Sequence, residues 1–296
     1  MIDVLCIGHA AYDLTMSVDH HPLLSDEKLQ ATSMQSCGGG PAANAAVQVA
    51  RLGGSASFCG YLGNDLYGDV HVAELEDEGV DLSMLVRGAY PSSISQILSK
   101  PDGARSLVNY KGDTPWLTVD AVDIPALNPK VILFDGHEPL VSEKIIDWAL
   151  GEEIPTVLDA GSLHRGTEAL VMKADYLVAS EKFARQFCSM DDMTEALEQL
   201  TDQRDNVVIT LGDEGGLWAR GGESGAFPAF KIDAVDSTGA GDAFHGAFAL
   251  GIVQGMGWQA LLRFASAAGA LTCTRLGART GLPTEPEAAQ LLKGYR

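Results

Sequence analysis

The most informative stretch of the sequence is Asp236-Ser-Thr-Gly-Ala-Gly-Asp242, which is followed by the apolar stretch Ala243–Val253. Its small residues let a ligand approach the backbone closely. The amide N–H groups in the first turn of the following helix would point at that ligand, and the helix dipole favours negative charge there. A carboxylate repels an anion, so its presence at an anion site requires an explanation. A general base provides one: it would accept the proton of a hydroxyl group to which a phosphoryl group is transferred. Asp242 is therefore a candidate base, although a capping Asp on a glycine-rich turn has the same local pattern.

A second motif, Gly38-Gly-Gly-Pro-Ala-Ala-Asn44, combines close backbone approach with the start of a helix near Pro41. Asn44 would lie in the first turns of that helix, where its amide can donate to and accept from a diol. A loop-to-helix junction whose Asn has no function is the alternative interpretation of this motif taken alone.

Apolar runs that alternate with helical patterns predict an α/β protein with a mainly parallel sheet covered on both faces. The predicted strands are Val4–Ile7, Val131–Phe134, Thr156–Leu158, Tyr176–Val178 and Val207–Leu211. The predicted helices are Ala42–Arg51, Gly68–Glu78, Ser142–Leu150, Glu181–Phe187 and Met193–Leu200. Two lid segments, at about 11–35 and 92–111, show short alternating patterns instead, and Pro101-Asp102-Gly103 marks a turn in the second. They predict a small antiparallel sheet that covers a site.

The composition restricts the classes of partner. The 296 residues include 40 Asp and Glu but only 20 Lys and Arg, so the net charge is −20. Such a chain repels nucleic-acid phosphates and anionic lipid, and we expect neither nucleic acid nor a membrane as partner. Five cysteines without a CxxC pair fit reduced thiols in the cytoplasm, and the first residues have a strand pattern, not that of a signal peptide.

The two motifs, in this order and about 200 residues apart, resemble the signatures of the ribokinase-like (PfkB) carbohydrate kinases. The family's second signature usually begins with Asp-Thr-Thr, and Ser237 is a mild departure from it. The resemblance spans nearly the whole chain. It implies one domain over residues 1–296 and a three-layer α/β/α fold with a mainly parallel central sheet and a small β lid. It also implies ATP as phosphoryl donor, Asp242 as catalytic base, and an anion hole on the backbone of Gly239, Ala240 and Gly241.

The same resemblance assigns sugar contacts to residues from both halves of the chain. These residues are Asp13, Gly39, Gly40, Asn44 and Glu138. A carboxylate just beyond the carboxyl end of a strand, such as Asp13, is well placed to bind ligand hydroxyls. On the lid segments, Arg105 and Asn109 lie on one face of a strand, where they could face substrate or solvent. The same two orientations are open to Lys28.

Nucleotide contacts are also assigned by resemblance. They fall on Thr210, Gly212 and Gly215 after a buried strand, on Ser180, and on Cys273 and Gly277 in a loop beside the adenine. In the family that loop holds a monovalent cation on carbonyl oxygens, and Asp236 and Thr238 are the candidates for binding K⁺ here. The Asn-x-x-Glu motif that many members carry near Mg²⁺ is absent, because Ser180 and Phe183 occupy its positions. Glu181, acting through water, and Asp159 are the candidates for organising that ion.

Two related groups of enzymes compete for the acceptor. The carboxyl-terminal third and Gly38–Arg51 resemble 6-deoxy-6-sulfofructose kinases, and Lys28 and Asn109 match positions near the sulfonate there. The arginine that follows the third strand in those enzymes is not evident here. Asn44 and Glu138 instead resemble enzymes for neutral sugars, which include ketohexokinases. We therefore expect a ketose kinase, with a neutral ketohexose ahead of its 6-sulfonate.

Several alternatives stay open. A ribokinase or a nucleoside kinase would apply the same chemistry to another acceptor, and a non-catalytic sugar-binding regulator would keep the fold without turnover. A Rossmann-type dehydrogenase is disfavoured, because Gly8-His-Ala-Ala after the first strand lacks the required glycines. By analogy with the family, we also expect a homodimer that forms through the lid segments.

Overall fold

The computed structural model describes residues 2–202 and 204–294. Its strands are β1 (Val4–Ile7), β2 (Ala11–Ser17), β3 (Ser33–Gly39), β4 (Ala56–Gly63), β5 (Leu85–Gly88), β6 (Ser93–Ser99), β7 (Arg105–Tyr110), β8 (Val131–Phe134), β9 (Thr156–Ala160), β10 (Tyr176–Ser180), β11 (Asn206–Thr210), β12 (Gly216–Arg220) and β13 (Glu223–Phe227). Nine of these described strands form one sheet in the order β13-β12-β11-β10-β9-β8-β1-β4-β5. The pairs from β11 to β5 are parallel, and β12 and β13 join antiparallel, so this sheet is mainly parallel, as predicted.

The helices cover both faces of this sheet. They are α1 (Pro41–Arg51), α2 (Leu66–Asp77), α3 (Pro139–Gly151), α4 (Arg165–Leu170), α5 (Glu181–Cys188), α6 (Met193–Thr201), α7 (Ala240–Val253), α8 (Trp258–Thr272), α9 (Ala278–Gly281) and α10 (Glu285–Gly294). Val4 and Cys6 of β1 are buried with α1, α7 and α8, whereas Leu5 and Ile7 are buried with α3, α5 and α6. Burial on both faces explains the continuous apolar runs and confirms the three-layer α/β/α arrangement. None of the helices in the described part of the chain combines the length and apolarity that crossing a membrane requires.

Most central strands were predictable, but β4 was not. β1 and β8 have the predicted bounds, and β9 and β10 continue two residues further than predicted. β4 pairs directly with β1 and is buried along most of its length. A Cβ at Gly60 would lie 2.5 Å from the carbonyl oxygen of Gly8, so the packing requires glycine there. Glycine is uncommon in strands, and the sequence therefore did not predict this one.

The predicted lid segments form a separate sheet, here called the small sheet, in the strand order β3-β2-β6-β7. β2 pairs antiparallel with β3, and β6 pairs antiparallel with β7. The two hairpins are joined by β2 and β6, which run parallel. The prediction of an antiparallel sheet is therefore wrong for this pair of strands. β3 extends through Gly38 and Gly39, so the strand continues past the end of the first predicted lid segment at about residue 35.

Close packing of α1 on α7 brings the two sequence motifs together. α7 begins at Ala240, three residues before the predicted start, so Asp242 belongs to its first turn. A Cβ at Gly246 of α7 would lie 2.6 Å from the carbonyl oxygen of Ala45 on α1, and glycine therefore permits this approach. As a result, Asn44 near the start of α1 meets Asp242 near the start of α7.

Candidate active site

Asp242 lies beside unpaired backbone amides at the start of α7. Gly239 precedes the helix with a φ of 81°, which glycine adopts without strain. The amide N–H groups of Gly241 and Asp242 have no hydrogen-bond partner among the described residues. A Cβ at Gly241 would meet no atom closer than 4.0 Å, so the space in front of the helix is open. An anion could enter there and accept from both amides.

The carboxylate of Asp242 is held by Asn44. Nδ2 of Asn44 donates to Oδ2 of Asp242 at 2.8 Å, and Oδ1 of Asn44 accepts from Nη2 of Arg279 at 3.2 Å. Because a guanidinium only donates, Arg279 fixes the amide of Asn44 with its NH₂ group toward Asp242. Burial raises the pKa of Asp242, and the hydrogen bond from Asn44 lowers it. Asn44, predicted to bind sugar, thus also contacts the candidate base, which the sequence did not indicate.

Arg279 is the centre of a buried polar network and is only 4% exposed. Its Nη2 also hydrogen-bonds Nε2 of His71 at 3.0 Å, and its Nη1 lies 3.5 Å from Oε2 of Glu74. The same carboxylate oxygen of Glu74 accepts from the amide of Gly38 at 2.6 Å. Burial lowers the pKa of His71 well below its usual value, so the ring is neutral and Arg279 is the cation of the network. These residues come from α2, β3 and α9, and no local sequence pattern connects them.

Asp13 on β2 is buried against the glycine motif. A Cβ at Gly39 would lie 2.1 Å from Oδ2 of Asp13, so only glycine leaves room for this carboxylate. Register pairs Asp13 with Ser95 of β6 and pairs Ser95 with Asn109 of β7, so the three side chains share one face of the small sheet. Burial raises the pKa of Asp13 to about 7, and a hydrogen bond from Ser95 opposes that rise.

The predicted cations of the lid segments lie in different surroundings. Arg105 begins β7 on the same face as Asn109, and its charge lowers the pKa of both Asp13 and Asp242. Arg105 is therefore close to the candidate base. Lys28 is exposed in the connection between β2 and β3, and its side chain makes no hydrogen bond or ion pair within residues 2–202 and 204–294.

Glu138 is buried and already has a backbone partner. Its Oε2 accepts from the amide of Leu117 at 2.6 Å. Burial raises the pKa of Glu138 to about 7, whereas the hydrogen bond from Leu117 lowers it. One carboxylate oxygen thus fixes the segment that follows the small sheet, where the sequence predicted only a sugar contact.

Asp135, directly after β8, organises three loops of the site, although the sequence did not single it out. Its Oδ2 accepts from the amides of His9 at 2.7 Å and Ala42 at 3.1 Å. Its Oδ1 accepts from the amide of His137 at 2.8 Å. A Cβ at Gly8 would lie 1.9 Å from Oδ1, so glycine makes this arrangement possible. The one available signal was an acid just beyond a buried strand.

Asp159, predicted to organise Mg²⁺, is buried with Oδ2 3.3 Å from Nδ1 of His245. The ring of His245 also contacts the carbonyl oxygens of Gly241 at 2.6 Å and of a β10 residue at 3.1 Å. Burial raises the pKa of Asp159 to about 7, with smaller raising effects from the charges of Asp242 and Asp135. A cation nearby would relieve this repulsion, and Asp159 stays the predicted group for an ion held through water. The described residues include no cluster of three or more His, Cys, Asp or Glu side chains that could hold a metal directly.

Four of the predicted nucleotide residues lie at or just after the ends of β10 and β11, and the other two, Cys273 and Gly277, lie between α8 and α9. Thr210 ends β11, and Gly212 and Gly215 follow it with φ angles of 62° and 91°. The hydroxyl of Ser180 accepts from the amide of Phe183 at 3.0 Å, as the cap of α5, and donates to a carbonyl oxygen at 2.8 Å. Its hydroxyl is therefore engaged within the protein. Glu181 is half-buried and pairs with Arg185 at 2.7 Å, so it is not directed at the carboxylates described above.

Asp236, predicted to bind K⁺, links the Asp236–Asp242 motif to the loop at residues 273–277. Its Oδ1 accepts from the amide and hydroxyl of Thr238 at 3.0 and 2.7 Å, and its Oδ2 accepts from the amide of Gly277 at 2.8 Å. The carbonyl oxygen of Cys273 accepts from the amides of Val235 and Asp236. The carboxylate is fully buried, and protein donors occupy both oxygens. The side chains of Asp236 and Thr238 are therefore engaged within the protein, and their role as K⁺ ligands stays a prediction.

Comparison with known proteins agrees with this geometry. The family model for the pfkB family carbohydrate kinase matches residues 1–285. The chain is 30% identical over 297 residues to a ribokinase of Bacillus subtilis, covering 99% of this chain and 100% of that protein. It is 31% identical over 312 residues to fructokinase-1 of Zea mays, covering 94% and 95%. The solved structure of a ribokinase from Thermotoga maritima matches with a TM-score of 0.85 at 28% identity, covering 99% and 100%. The chain belongs to the PfkB family of carbohydrate kinases, which transfer a phosphoryl group to an alcohol acceptor.

Proposed function

We propose that this kinase transfers the γ-phosphoryl group of ATP to a primary hydroxyl of a ketose-like sugar, with fructose-like acceptors first and 6-deoxy-6-sulfofructose as the alternative. The observation that carries the proposal is the position of Asp242, which is hydrogen-bonded to Asn44 and lies beside two amides that have no partner in residues 2–202 and 204–294. A base, an anion hole and the hydroxyl-binding carboxylate of Asp13 are close to one another. The names of the similar proteins, ribokinase and fructokinase, support a sugar as acceptor.

In the proposed reaction, Asp242 accepts the proton of the sugar hydroxyl as the phosphoryl group is transferred. Asn44 donates to Oδ2 of Asp242. Oδ1 of Asp242 has no partner among the described residues and is therefore free to face that hydroxyl. The amides of Gly241 and Asp242 stabilise charge on the transferring group, and they need no reorganisation to do so. Asp13 and the backbone at Gly39 orient the remaining sugar hydroxyls.

ATP and Mg²⁺ are the proposed cofactors, and K⁺ is an optional third. Mg²⁺ supplies positive charge that neutralises the phosphates. Asp159 and Asp135, whose charges act on each other and on Asp242, would hold the ion through water. Glu181 already pairs with Arg185, so Asp159 is the principal protein group proposed for this role.

Release of ADP tests the proposal, measured with Mg²⁺ and K⁺ across fructose, 6-deoxy-6-sulfofructose, tagatose, ribose, fructose 6-phosphate and adenosine. Preferential turnover of one ketose is the expected result. A preference for ribose or adenosine would favour a ribokinase or a nucleoside kinase. Tight sugar binding without ADP release from any acceptor would contradict the proposed reaction and favour a sugar-binding regulator.

We also propose that the protein is a cytoplasmic homodimer. Its five cysteines are free and four of them are buried, which supports a reducing compartment. The face of the small sheet opposite Asp13 carries apolar side chains with large exposure, among them Met34 at 57%, Val108 at 72% and Tyr110 at 58%. A second copy could cover such a face. Light scattering in solution should give twice the mass of one chain, and a single-chain mass would contradict this proposal.

A further inference from the structure

Arg279 is the buried arginine beside Asn44, and the proposed reaction gives it no part. Its guanidinium lies directly beneath the glycine motif, because a Cβ at Gly38 would be 2.6 Å from Nη1 of Arg279. Burying a guanidinium costs free energy unless its donors are used, so the groups that it binds indicate its role. Those groups are on α1 and α2, whereas Arg279 itself is on α9.

The end of the Arg279 side chain contacts three acceptors. Nη2 donates to Oδ1 of Asn44 at 3.2 Å and to Nε2 of His71 at 3.0 Å, and Nη1 lies 3.5 Å from Oε2 of Glu74. A guanidinium cannot accept, so Nε2 of the neutral His71 accepts and the ring hydrogen is on Nδ1. The single nitrogen Nη2 therefore binds both the Asn44 amide and the imidazole, which places these two side chains next to each other.

This arrangement determines where the NH₂ group of Asn44 points. His71 is fully buried, so without Arg279 its Nε2 would be a buried acceptor that has lost its donor, which is costly. The NH₂ group of Asn44 is adjacent and could turn to supply that donor, and it would then leave Asp242. With Arg279 present, Nε2 of His71 is occupied and Oδ1 of Asn44 is fixed, so the NH₂ group donates to Oδ2 of Asp242 at 2.8 Å.

The main chain at Arg279 is also held. Nη1 of Arg51 donates to the carbonyl oxygens of Arg279 at 2.9 Å and of Leu282 at 2.7 Å. Nε of Arg51 donates to Oε2 of Glu78 at 2.9 Å, which fixes Arg51 in turn. Arg51 is on α1, the helix that also carries Asn44. The guanidinium therefore reaches Asn44 from a main chain that is tied to the same helix, and a side chain supported in this way can fix the orientation of another.

We propose that Arg279 is a positioning residue for phosphoryl transfer, because it holds the side-chain amide of Asn44 in the orientation that donates to Asp242. The inference rests on the proposed function, in which Asp242 is the base, and it adds a residue on which the state of that base depends. Within residues 2–202 and 204–294, Arg279 makes no hydrogen bond to Asp242, so its effect on the base passes through Asn44.

The first test compares pH profiles of kcat/KM for the wild type, Arg279→Met, Asn44→Leu and the double variant, with the best acceptor from the screen. Loss of an oriented hydrogen bond to a carboxylate moves the acid limb of the Arg279→Met profile to higher pH. On that side of the profile it predicts a decrease of about 10- to 100-fold, with less than about threefold change in the KM for sugar. Arg279→Met should have no further effect in protein that already carries Asn44→Leu.

The double variant separates orientation from charge. Removing the charge of Arg279 also acts on Asp13 directly. Five other titratable or charged side chains interact with Asp242 and are kept in every variant, namely Asp13, Arg105, Asp135, Asp159 and His245. A charge effect would be as large in the Asn44→Leu background as in the wild type. Equal shifts of the acid limb in the two backgrounds would therefore overturn the proposal.

Arg87→Met is the matched control. Arg87 is also partly buried, donates to the carbonyl oxygens of Leu62 and Gly63, and pairs with Asp69 of α2. Its acid limb should stay in place even if stability falls. Arg279→Lys, which keeps the charge but not the planar fork, replaces Arg279→Met if that variant does not fold, and its acid limb should also move to higher pH. An acid limb at the wild-type position in the variant of Arg279 that folds would overturn the proposal.

The second test needs no turnover. The chain has five asparagines, so selective isotope labelling of asparagine nitrogen gives five side-chain amide signals in a magnetic resonance spectrum, and the signal that Asn44→Leu removes belongs to Asn44. Its chemical shift should follow the ionisation of Asp242 in the wild type and not in Asp242→Asn. This titration should be diminished in Arg279→Met and unchanged in Arg87→Met.

The two tests fail separately. If the wild type phosphorylates no acceptor, the proposed function fails, yet the titration of the Asn44 signal still decides whether Arg279 orients that amide. A titration that is the same in Arg279→Met as in the wild type refutes the inference, whatever the acceptor screen shows.

Discussion

Replacing Asn44 by leucine should raise the pKa of the candidate base and move the pH dependence of catalysis. Nδ2 of Asn44 donates to Oδ2 of Asp242 at 2.8 Å, and this bond lowers the pKa of a carboxyl that burial otherwise raises. A hydrogen bond to a charged group contributes about 1.5–3 kcal/mol. One pKa unit corresponds to about 1.4 kcal/mol, so loss of the bond raises the pKa of Asp242 by about one to two units. The base must be ionised to act, so the acid limb of kcat/KM moves to higher pH by that amount.

The assay is a pH profile of ADP release between about pH 5 and 9.5, with the best acceptor from the screen. Gln48→Leu is the matched control: Gln48 is one turn further along α1, equally buried, and donates to the carbonyl of Pro283 at 3.0 Å, away from the base. Its acid limb should stay in place even if stability falls. An Asn44→Leu profile that is lower at every pH, with an unmoved acid limb, would refute this reasoning and assign Asn44 to sugar binding alone.

Three further predictions concern the carboxylates of the site. Asp242→Asn should lower kcat by about 10²–10⁴-fold and leave the calorimetric affinity for sugar within about threefold, and near wild-type kcat would contradict the base assignment. Gly39→Ala would put a Cβ 2.1 Å from Oδ2 of Asp13, so we expect the KM for sugar to rise by more than kcat falls, and an unchanged KM would count against Asp13 as a sugar ligand. The folded-state pKa is about 7 for Asp13, Glu138 and Asp159, whereas their unperturbed pKa values are 3.8 to 4.5. Between these values the folded state binds more protons than the unfolded state. The melting temperature without ligand should therefore fall from pH 6.5 to 8, less steeply in Glu138→Gln, and a rise over that range would show the sign to be wrong.

The features that were predictable from sequence are local ones. β1 and β8 are continuous apolar runs because both of their faces are covered. The glycines around Asp242 indicate the start of a helix that is open to an anion. Each of these patterns is contained within a few neighbouring residues. The resemblance of two such motifs to one family then identified the fold, and the family match confirmed it.

The features that were missed depend on contacts between distant parts of the chain. The bond between Asn44 and Arg279 joins residues 235 positions apart, and the bond from His9 to Asp135 joins residues 126 apart. Each of these residues has an ordinary local sequence around it. For the same reason, the sequence predicted a sugar contact for Glu138 but not its hydrogen bond with Leu117. That bond depends on how the segment after the small sheet packs.

The pairing of β2 with β6 in the small sheet has a consequence for how the protein folds. The two strands are 82 residues apart in sequence, and α1, β4, α2 and β5 lie between them. Closing so long a connection is entropically costly until those elements have packed on the central sheet. Contacts of this kind slow folding, and they form after local structure. We therefore expect the face of the small sheet around Asp13, the proposed acceptor site, to be among the last parts to assemble, both in refolding and during synthesis on the ribosome.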